Sequence, residues 1–445
     1  MSESSNKQMK LIKRIHDDLV ECILSFLPIQ SNLQNRVLSK RFRDTWKQSR
    51  DLDFSELFSV RHSQLEAVRI IENIFNQHKG PEINRFVLSL NHIGVEDKIL
   101  SWISTCLRKN IKELVLDFSR SKKVMEIPVD FSSIETLTVL KVQWCKFEIP
   151  DNLPKGLRLL RTLSLMQTEL TKEMIDAIFN NCIHLESLEL VKCQMYGILS
   201  IYAHDHKKFK SLVVSSMPNL LCIALDAPTL ESYKYDGYAR TIQVLRVNAL
   251  KEGEFHYNRS KSRHSSAMMV SSMRAYTTVN VLTTTNILLE ALTYKYLRGK
   301  LEKPLFKFEN LREFKIFLKA PTFCTLFDIA EFLKECPKLE HVIIDIQNFT
   351  FEPQLYFWEM HHKQQIQNNS NNNYLLKCLM DVRIIGYKGH WHELDIVEFF
   401  VKNAPSLKRL ELEMPKNAKN NAHTPDYARI NFIKNIFPGI RVTEV

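Results

Sequence analysis

The feature that most constrains this chain is a recurring six-residue phrase. An apolar residue is followed by two residues of any kind, a second apolar residue, one further residue, and a third apolar residue. It reads "INRFVL" from 83, "IKELVL" from 111, "LTVLKV" from 137, "LRTLSL" from 160, "LESLEL" from 185 and "FKSLVV" from 209. The starts lie 28, 26, 23, 25 and 24 residues apart. Later copies are "LREFKI" from 311, "LEHVII" from 339, "LMDVRI" from 379 and "LKRLEL" from 407. Side chains alternate along a strand, so the second and third apolar residues of each phrase share one face and the residue between them takes the other. A unit this short buries its apolar face only by stacking on the next copy.

A period in the twenties with LxxLxL is the leucine-rich-repeat pattern, in which each short strand adds to a parallel sheet. Phrases such as "NNCIHLESLEL", "KECPKLEHVII" and "KNAPSLKRLEL" place the end of a helix at Cys182, Cys336 or Ala404, just ahead of a strand. The expected fold class is therefore α/β, a solenoid of parallel strands with helices on the convex side. From about 218 to 305 the phase is irregular. "LESYKY" from 230 and "IQVLRV" from 242 are 12 residues apart, and "YTTVNVLTTT" near 280 is β-prone. Short repeats without helices are expected there. "RSKSRHSSAMMVSS" is polar and basic and reads as an exposed loop. The Asn/Gln-rich stretch at 361–374 reads as a low-complexity insertion between strands.

Composition removes several functional classes. Ten glycines in 445 residues leave little for glycine-rich phosphate loops or tight hairpins. The net charge of +11 comes from Lys and Arg spread along the chain among 50 acids, which describes a solvated mixed-charge surface better than a nucleic-acid grip. Nine cysteines, an odd number with no CxxC spacing, read as free thiols of a reducing compartment. The opening "MSESSNKQMKLIKRIHDD" lacks the apolar core of a signal peptide, and no apolar run reaches membrane-spanning length. The expected location is cytoplasm or nucleus, away from membranes. No GxxxxGK[ST], GxGxxG, HExxH or GxSxG motif is present. His204 with His206, and His390 with His392, form HxH pairs, but no third and fourth metal ligands are assignable. The sequence thus points to no metal, no cofactor and no catalytic residue, and to a protein that is not an enzyme.

At the N-terminus, Leu19, Val20, Ile23, Leu24 and Leu27 recur at helical spacing behind Asp17 and Asp18, and Pro28 follows where that helix stops. A second helical pattern carries Leu38, Phe42 and Trp46 on one stripe, with Arg36, Lys40, Arg43 and Lys47 nearly opposite. Two or three helices in about 45 residues make too small a core to stand alone. The run from "ILSFLP" through "VLSKRFRDTWK" to "LDF" resembles an F-box of the plant type, with Ile15-His16 where that family has Leu-Pro. The resemblance implies a three-helix module that docks on a Skp-type adaptor and, through it, a cullin. By matching positions, adaptor contact is expected at Ile15, Leu19, Ile23, Leu24, Pro28, Val37 and Leu38. The tail, with a strand, then "GYKG", then "ELDIVEFFVKNAP" as an amphipathic helix, then a closing strand, is similar to the FBD motif of plant F-box proteins with leucine-rich repeats.

The expected order is a flexible lead at 1–10, an F-box at 11–55, repeats over 56–375 and FBD-like repeats over 376–445. The family resemblance implies a substrate receptor of a Skp-cullin-F-box ubiquitin ligase, which presents a target protein for ubiquitination and degradation. The alternative is a repeat scaffold with a degenerate F-box. Target specificity is expected at the x positions within the repeat phrases: Arg85, Glu113, Lys141, Ser164, Glu189, Lys315 and Arg383.

Overall fold

In every regular copy of the phrase the strand begins at the third residue, so the first apolar residue sits ahead of it as an anchor. The structure, a computed structural model, describes residues 44–128, 134–146, 157–238, 241–258, 276–293, 306–319, 326–349, 376–414, 431–432, 434–435 and 437–444. The seven expected adaptor contacts, Ile15 to Leu38, and the insertion at 361–374 lie outside the described residues. The described residues fall into two units, one within Met1–Met195 plus His206–Phe209, the other within Tyr196–Asp205 plus Lys210–Val445.

The first unit begins with a 3-10 turn, Thr45–Gln48, in which Trp46 is buried as its place on the apolar stripe predicts. Its elements follow as β1 (Asp51–Phe54), α1 (Glu56–Arg61), α2 (Gln64–Gln77), β2 (Arg85–Ser89), α3 (Glu96–Arg108), β3 (Glu113–Asp117) and β4 (Met125–Glu126). Then come β5 (Val139–Gln143), β6 (Cys145–Lys146), β7 (Thr162–Met166), α4 (Lys172–Asn181) and β8 (Ser187–Val191). β1, β2, β3, β5, β7 and β8 pair in that order, all parallel. β1, assigned by sequence to the end of the F-box-like module, is thus already a strand of the repeat sheet.

The register stacks Leu52, Phe86, Leu114, Leu140, Leu163 and Leu188 in one ladder, each fully buried. Behind them sit the apolar stripes of the helices, Ala67, Val68, Ile71 and Ile74 on α2 and Ile99, Trp102, Ile103 and Cys106 on α3. α2 starts at a capping box, where Ser63 accepts the Glu66 amide and the Glu66 carboxylate accepts the Ser63 amide. Each buried leucine contributes about 1.5–3 kcal/mol, so the ladder alone is a large share of what holds the unit together.

The second unit contains β9 (Gly197–Tyr202), β10 (Ser211–Ser215), β11 (Leu220–Asp226), β12 (Ser232–Tyr238), β13 (Thr241–Arg246), β14 (Glu252–Asn258), β15 (Val281–Thr285) and α5 (Asn286–Thr293). After these come β16 (Glu313–Phe317), α6 (Leu326–Lys334), β17 (His341–Asp345), β18 (Asp381–Ile385), α7 (Trp391–Asn403), β19 (Arg409–Met414) and β20 (Ile440–Glu444). β10, β12 and β14 to β20 form one parallel sheet. β9, β11 and β13 form a second, smaller parallel sheet with β11 at its centre.

This second sheet explains the irregular phase. Between β10 and β14 the chain alternates strand by strand between two sheets, so a repeat needs only strand, turn, strand and turn. "LESYKY" enters β12 of one sheet, and "IQVLRV" lies on β13 of the other. The short helix-free repeats expected from the spacing are present between β10 and β14, but α5 (Asn286–Thr293) puts a helix back within the stretch to 305 that was expected to lack one. Where helices do precede strands they end as expected: α4 is capped at Cys182 and α7 at Ala404, and α6 ends at Lys334, two residues ahead of Cys336. Cys182 and Cys336 are buried free thiols, and burial pushes the Cys182 thiol up to about 12.

The inward ladder of the second unit runs Leu212, Tyr233, Gly253, Leu282, Phe314, Val342, Val382, Leu410 and Ile440. Gly253 interrupts it because a Cβ there would stand 2.6 Å from the Phe255 ring. That ring lies 5.5 Å from Tyr233 and 4.5 Å from Tyr276, centroid to centroid, filling the space a side chain would take.

A further regularity lies one residue past the strand. Trp144, Gln167, Lys192, Ser216 and Gly386 follow β5, β7, β8, β10 and β18 directly, and all have φ between +53° and +82°. The repeat turns its corner through the left-handed region, which costs a non-glycine residue about 1 kcal/mol. Only the last position is glycine, and there a Cβ would come within 2.6 Å of the Gln347 backbone.

Candidate interaction surface

Because the second and third apolar residues of each phrase point inward, the residues flanking them form three outward rows. In the first unit these rows carry Asp51, Asp53, Glu113, Asp117 and Glu189 against Arg85 and Lys141. Carboxylates outnumber cations on this face, although the chain as a whole is at +11.

Arg85 is held by three carboxylates. Its Nη1 lies 2.8 Å from Asp53 and 3.2 Å from Asp51, and its Nε lies 3.3 Å from Glu113. Burial raises the pKa of Asp51 despite the guanidinium beside it. At Asp53 burial also opposes ionisation, but hydrogen bonds from Arg85 and the Ser55 amide outweigh it and hold the pKa below the ordinary range. Arg85 itself is held more firmly protonated by the same carboxylates, against the effect of its burial.

The seven residues expected to contact a target are all on outward strand positions, but in different rows. Arg85 and Glu113 share one row. Lys141, Ser164 and Glu189 share the next, two residues further along the strands. Ser164, on an outward position, is only 1% exposed, and its hydroxyl donates to Glu189 at 2.8 Å. It orients the Glu189 carboxylate. Lys315 and Arg383 share the middle row of the second unit, with Ile343 between them.

In the second unit the outward rows carry Asp236, Glu252, Glu254, Glu313, Asp345, Asp381, Glu411 and Glu413 against Lys234, Lys315, Arg383, Arg409 and Arg441. This face is also acidic. Across β16 to β19 it forms a concavity of about 370 Å³. Half-buried Ile343 lies among its lining, with Glu313, His341, Asp381, Arg383, Arg409 and Glu411 around it. Asp381 takes His341 Nδ1 at 3.0 Å and Arg409 Nε at 2.9 Å, while Arg383 is paired with Glu413. Glu411 lies 3.8 Å from the Arg409 guanidinium, and the Glu313 carboxylate has no partner among the described residues. Lys315 extends its ammonium over the Phe317 ring, 4.7 Å from the centroid.

Among the described residues no group of three metal-ligating side chains converges. His204 is half exposed and pairs with Asp205 at 2.8 Å, while His206 is buried edge-on against Phe179. His390 is the half-buried residue that caps α7. No helix among the described residues is long and apolar enough to cross a membrane.

One buried charge was missed by sequence reasoning. Glu393, the third residue of α7, is 3% exposed, and its Oε2 accepts the amides of Lys388 at 2.8 Å, Gly389 at 2.9 Å and His390 at 3.2 Å. Burial raises its pKa to about 7 against the pull of those three donors. It fixes the "GYKGH" turn that leads from β18 into α7.

Parallel strands joined in register over a buried aliphatic ladder, with helices or strands behind them, define a leucine-rich-repeat protein. The leucine-rich-repeat domain described for the At1g61320/AtMIF1 family matches residues 74–434. Among curated proteins, the putative FBD-associated F-box protein At1g61330 of Arabidopsis thaliana is 82% identical over the whole of both chains. The FBD-associated F-box protein At1g61320 of the same plant is 68% identical over all of this chain and 98% of its own. The chain belongs to this family of F-box proteins with leucine-rich repeats and an FBD motif.

Proposed function

We propose that the chain is the substrate-recognition subunit of a Skp-cullin-F-box ubiquitin ligase. The N-terminal module would hold a Skp-type adaptor, and through it a cullin, while the outward strand rows hold a target protein. Such a receptor performs no bond chemistry. It raises the local concentration of target lysines beside the conjugating enzyme, the target then being degraded. The work would take place in the cytoplasm or nucleus.

The observation that carries this reading is the end-to-end similarity to proteins named as F-box proteins, extending through the segment that holds Ile15 to Leu38. The outward rows agree with it. They are solvated, charged and formed from many repeats, which suits recognition of an extended protein surface. Co-expression with a plant Skp-type adaptor tests it. A stable complex that survives gel filtration, and that Leu38→Asp abolishes while Lys40→Ala weakens only slightly, is the expected outcome. Soluble, folded chain that never co-elutes with adaptor would favour the scaffold alternative, in which Ile15-His16 marks a module that has lost adaptor binding.

A further inference from the structure

We infer that the concavity across β16 to β19 is a docking site for an extended, basic peptide segment bearing two cationic side chains four to five residues apart. The inference deepens the receptor reading above and rests on it for the existence of a protein target. Charge is the first argument. The chain is at +11, yet the outward rows of the second unit are net acidic, so the surplus of positive charge lies elsewhere.

Pairing is the second argument. The guanidinium groups lining the hollow already have partners: Arg383 has Glu413, and Arg409 has Asp381, which also takes His341 Nδ1. The carboxylates left available are Glu313, without a partner among the described residues, and Glu411, only loosely held at 3.8 Å. An incoming acidic group would have to break an existing pair, whereas an incoming cation completes one.

Geometry sets the spacing. Glu313 is on β16 and Glu411 on β19, three strands away and two residues further along. At about 4.8 Å per strand and about 3.4 Å per residue they stand roughly 16 Å apart, the span of four to five residues of extended chain. Between them Ile343 supplies an apolar floor. The occupant is thus a segment with Lys or Arg at each end and a small apolar side chain between them.

The test uses the full-length protein and fluorescein-labelled twelve-residue peptides read by fluorescence polarisation at physiological salt. One peptide carries two lysines four residues apart around a central valine, all three on one face of the extended chain, a second has both lysines replaced by glutamate, and a third places the lysines adjacent. The first should bind at least tenfold more tightly than the other two. The double variant Glu313→Lys, Glu411→Lys should lose at least tenfold in that binding, while Glu252→Lys, outside the hollow, should retain it. Thermal melts of all variants identify any that fail to fold, and the single variants Glu313→Gln and Glu411→Gln then replace the double one. Absence of binding, equal binding of the three peptides, or binding indifferent to the hollow's carboxylates would overturn the inference. Adaptor co-elution, measured on the same proteins, reports separately on the receptor reading.

Discussion

Replacing Glu393 by glutamine tests how burial and hydrogen bonding divide control of a carboxylate. The side chain is almost fully enclosed, three backbone amides point at one of its oxygens, and burial still lifts its pKa to about 7. In the unfolded chain the same group titrates near 4.5. A raised folded-state pKa means that the native state binds the proton more tightly. The group's contribution to stability is therefore complete below about pH 4.5 and is lost as pH rises through 7. Between pH 5 and pH 8 the loss is about 2.5 kcal/mol.

The Glu393→Gln side chain keeps one oxygen for the three amides and never ionises, so that loss should be absent from it. Urea midpoints of wild type and Glu393→Gln, followed by circular dichroism at pH 5, 6, 7 and 8, give the difference with all other titrations cancelled. Wild type should fall relative to the variant by about 2.5 kcal/mol across the series. A difference that stays flat within about 0.5 kcal/mol would refute the reasoning, because it would mean that the amides outweigh burial and keep the carboxylate ionised throughout. Glu393→Ala, which strips the acceptor from three amides, should cost several kcal/mol at every pH, at about 1–3 kcal/mol for each buried donor left unpaired.

Leu163→Ala removes one rung of a fully buried ladder and should destabilise the first unit by about 2–5 kcal/mol in the same denaturation measurement. At the strand corners, opposite outcomes are expected from opposite exchanges. Gly386→Ala meets both a positive φ and the Gln347 backbone and should lower the melting temperature, whereas Lys192→Gly, at an exposed corner, relieves a strained φ and should raise stability by up to about 1 kcal/mol. Arg85→Met leaves Asp51, Asp53 and Glu113 facing one another without their shared cation, so its loss of stability should shrink as pH falls and the carboxylates protonate. A penalty that is the same at pH 4 and pH 8 would contradict this.

Most of the repeat fold was legible because burial is written into sequence as period. Every phrase from "INRFVL" to "LKRLEL" marks a strand, since an inward ladder requires apolar residues at fixed offsets whatever else the repeat contains. β9, β11 and β13 were not resolved as a separate sheet, because a strand standing where a helix usually stands has no anchor residue ahead of it. "GILSIY" alternates with a period of two while "LLCIALD" is an unbroken apolar run, and only the 12-residue spacing hinted at two interleaved sheets. β1 was hidden for a different reason: "LDF" closes the F-box pattern and opens the sheet with the same residues. On the surface, sequence identified outward positions but not their partners. Ser164 looks like any solvated strand residue until Glu189 is seen beside it across the ladder. Glu393 reads as a polar residue early in an amphipathic helix, and only the fold of the preceding turn brings three amides onto it.

The strand that lies at the centre of the small second sheet has consequences for how the chain opens. A helix behind a repeat, such as α5, closes its hydrogen bonds within itself and is free to fray without consulting its neighbours. β11 has no such independence, because its amides and carbonyls are shared with β9 before it and β13 after it. Proton exchange at Ile223, Ala224 and Leu225 therefore requires several successive coils to part together, while exchange along α5 proceeds turn by turn. The helix-free stretch is the place where local breathing is replaced by a collective event.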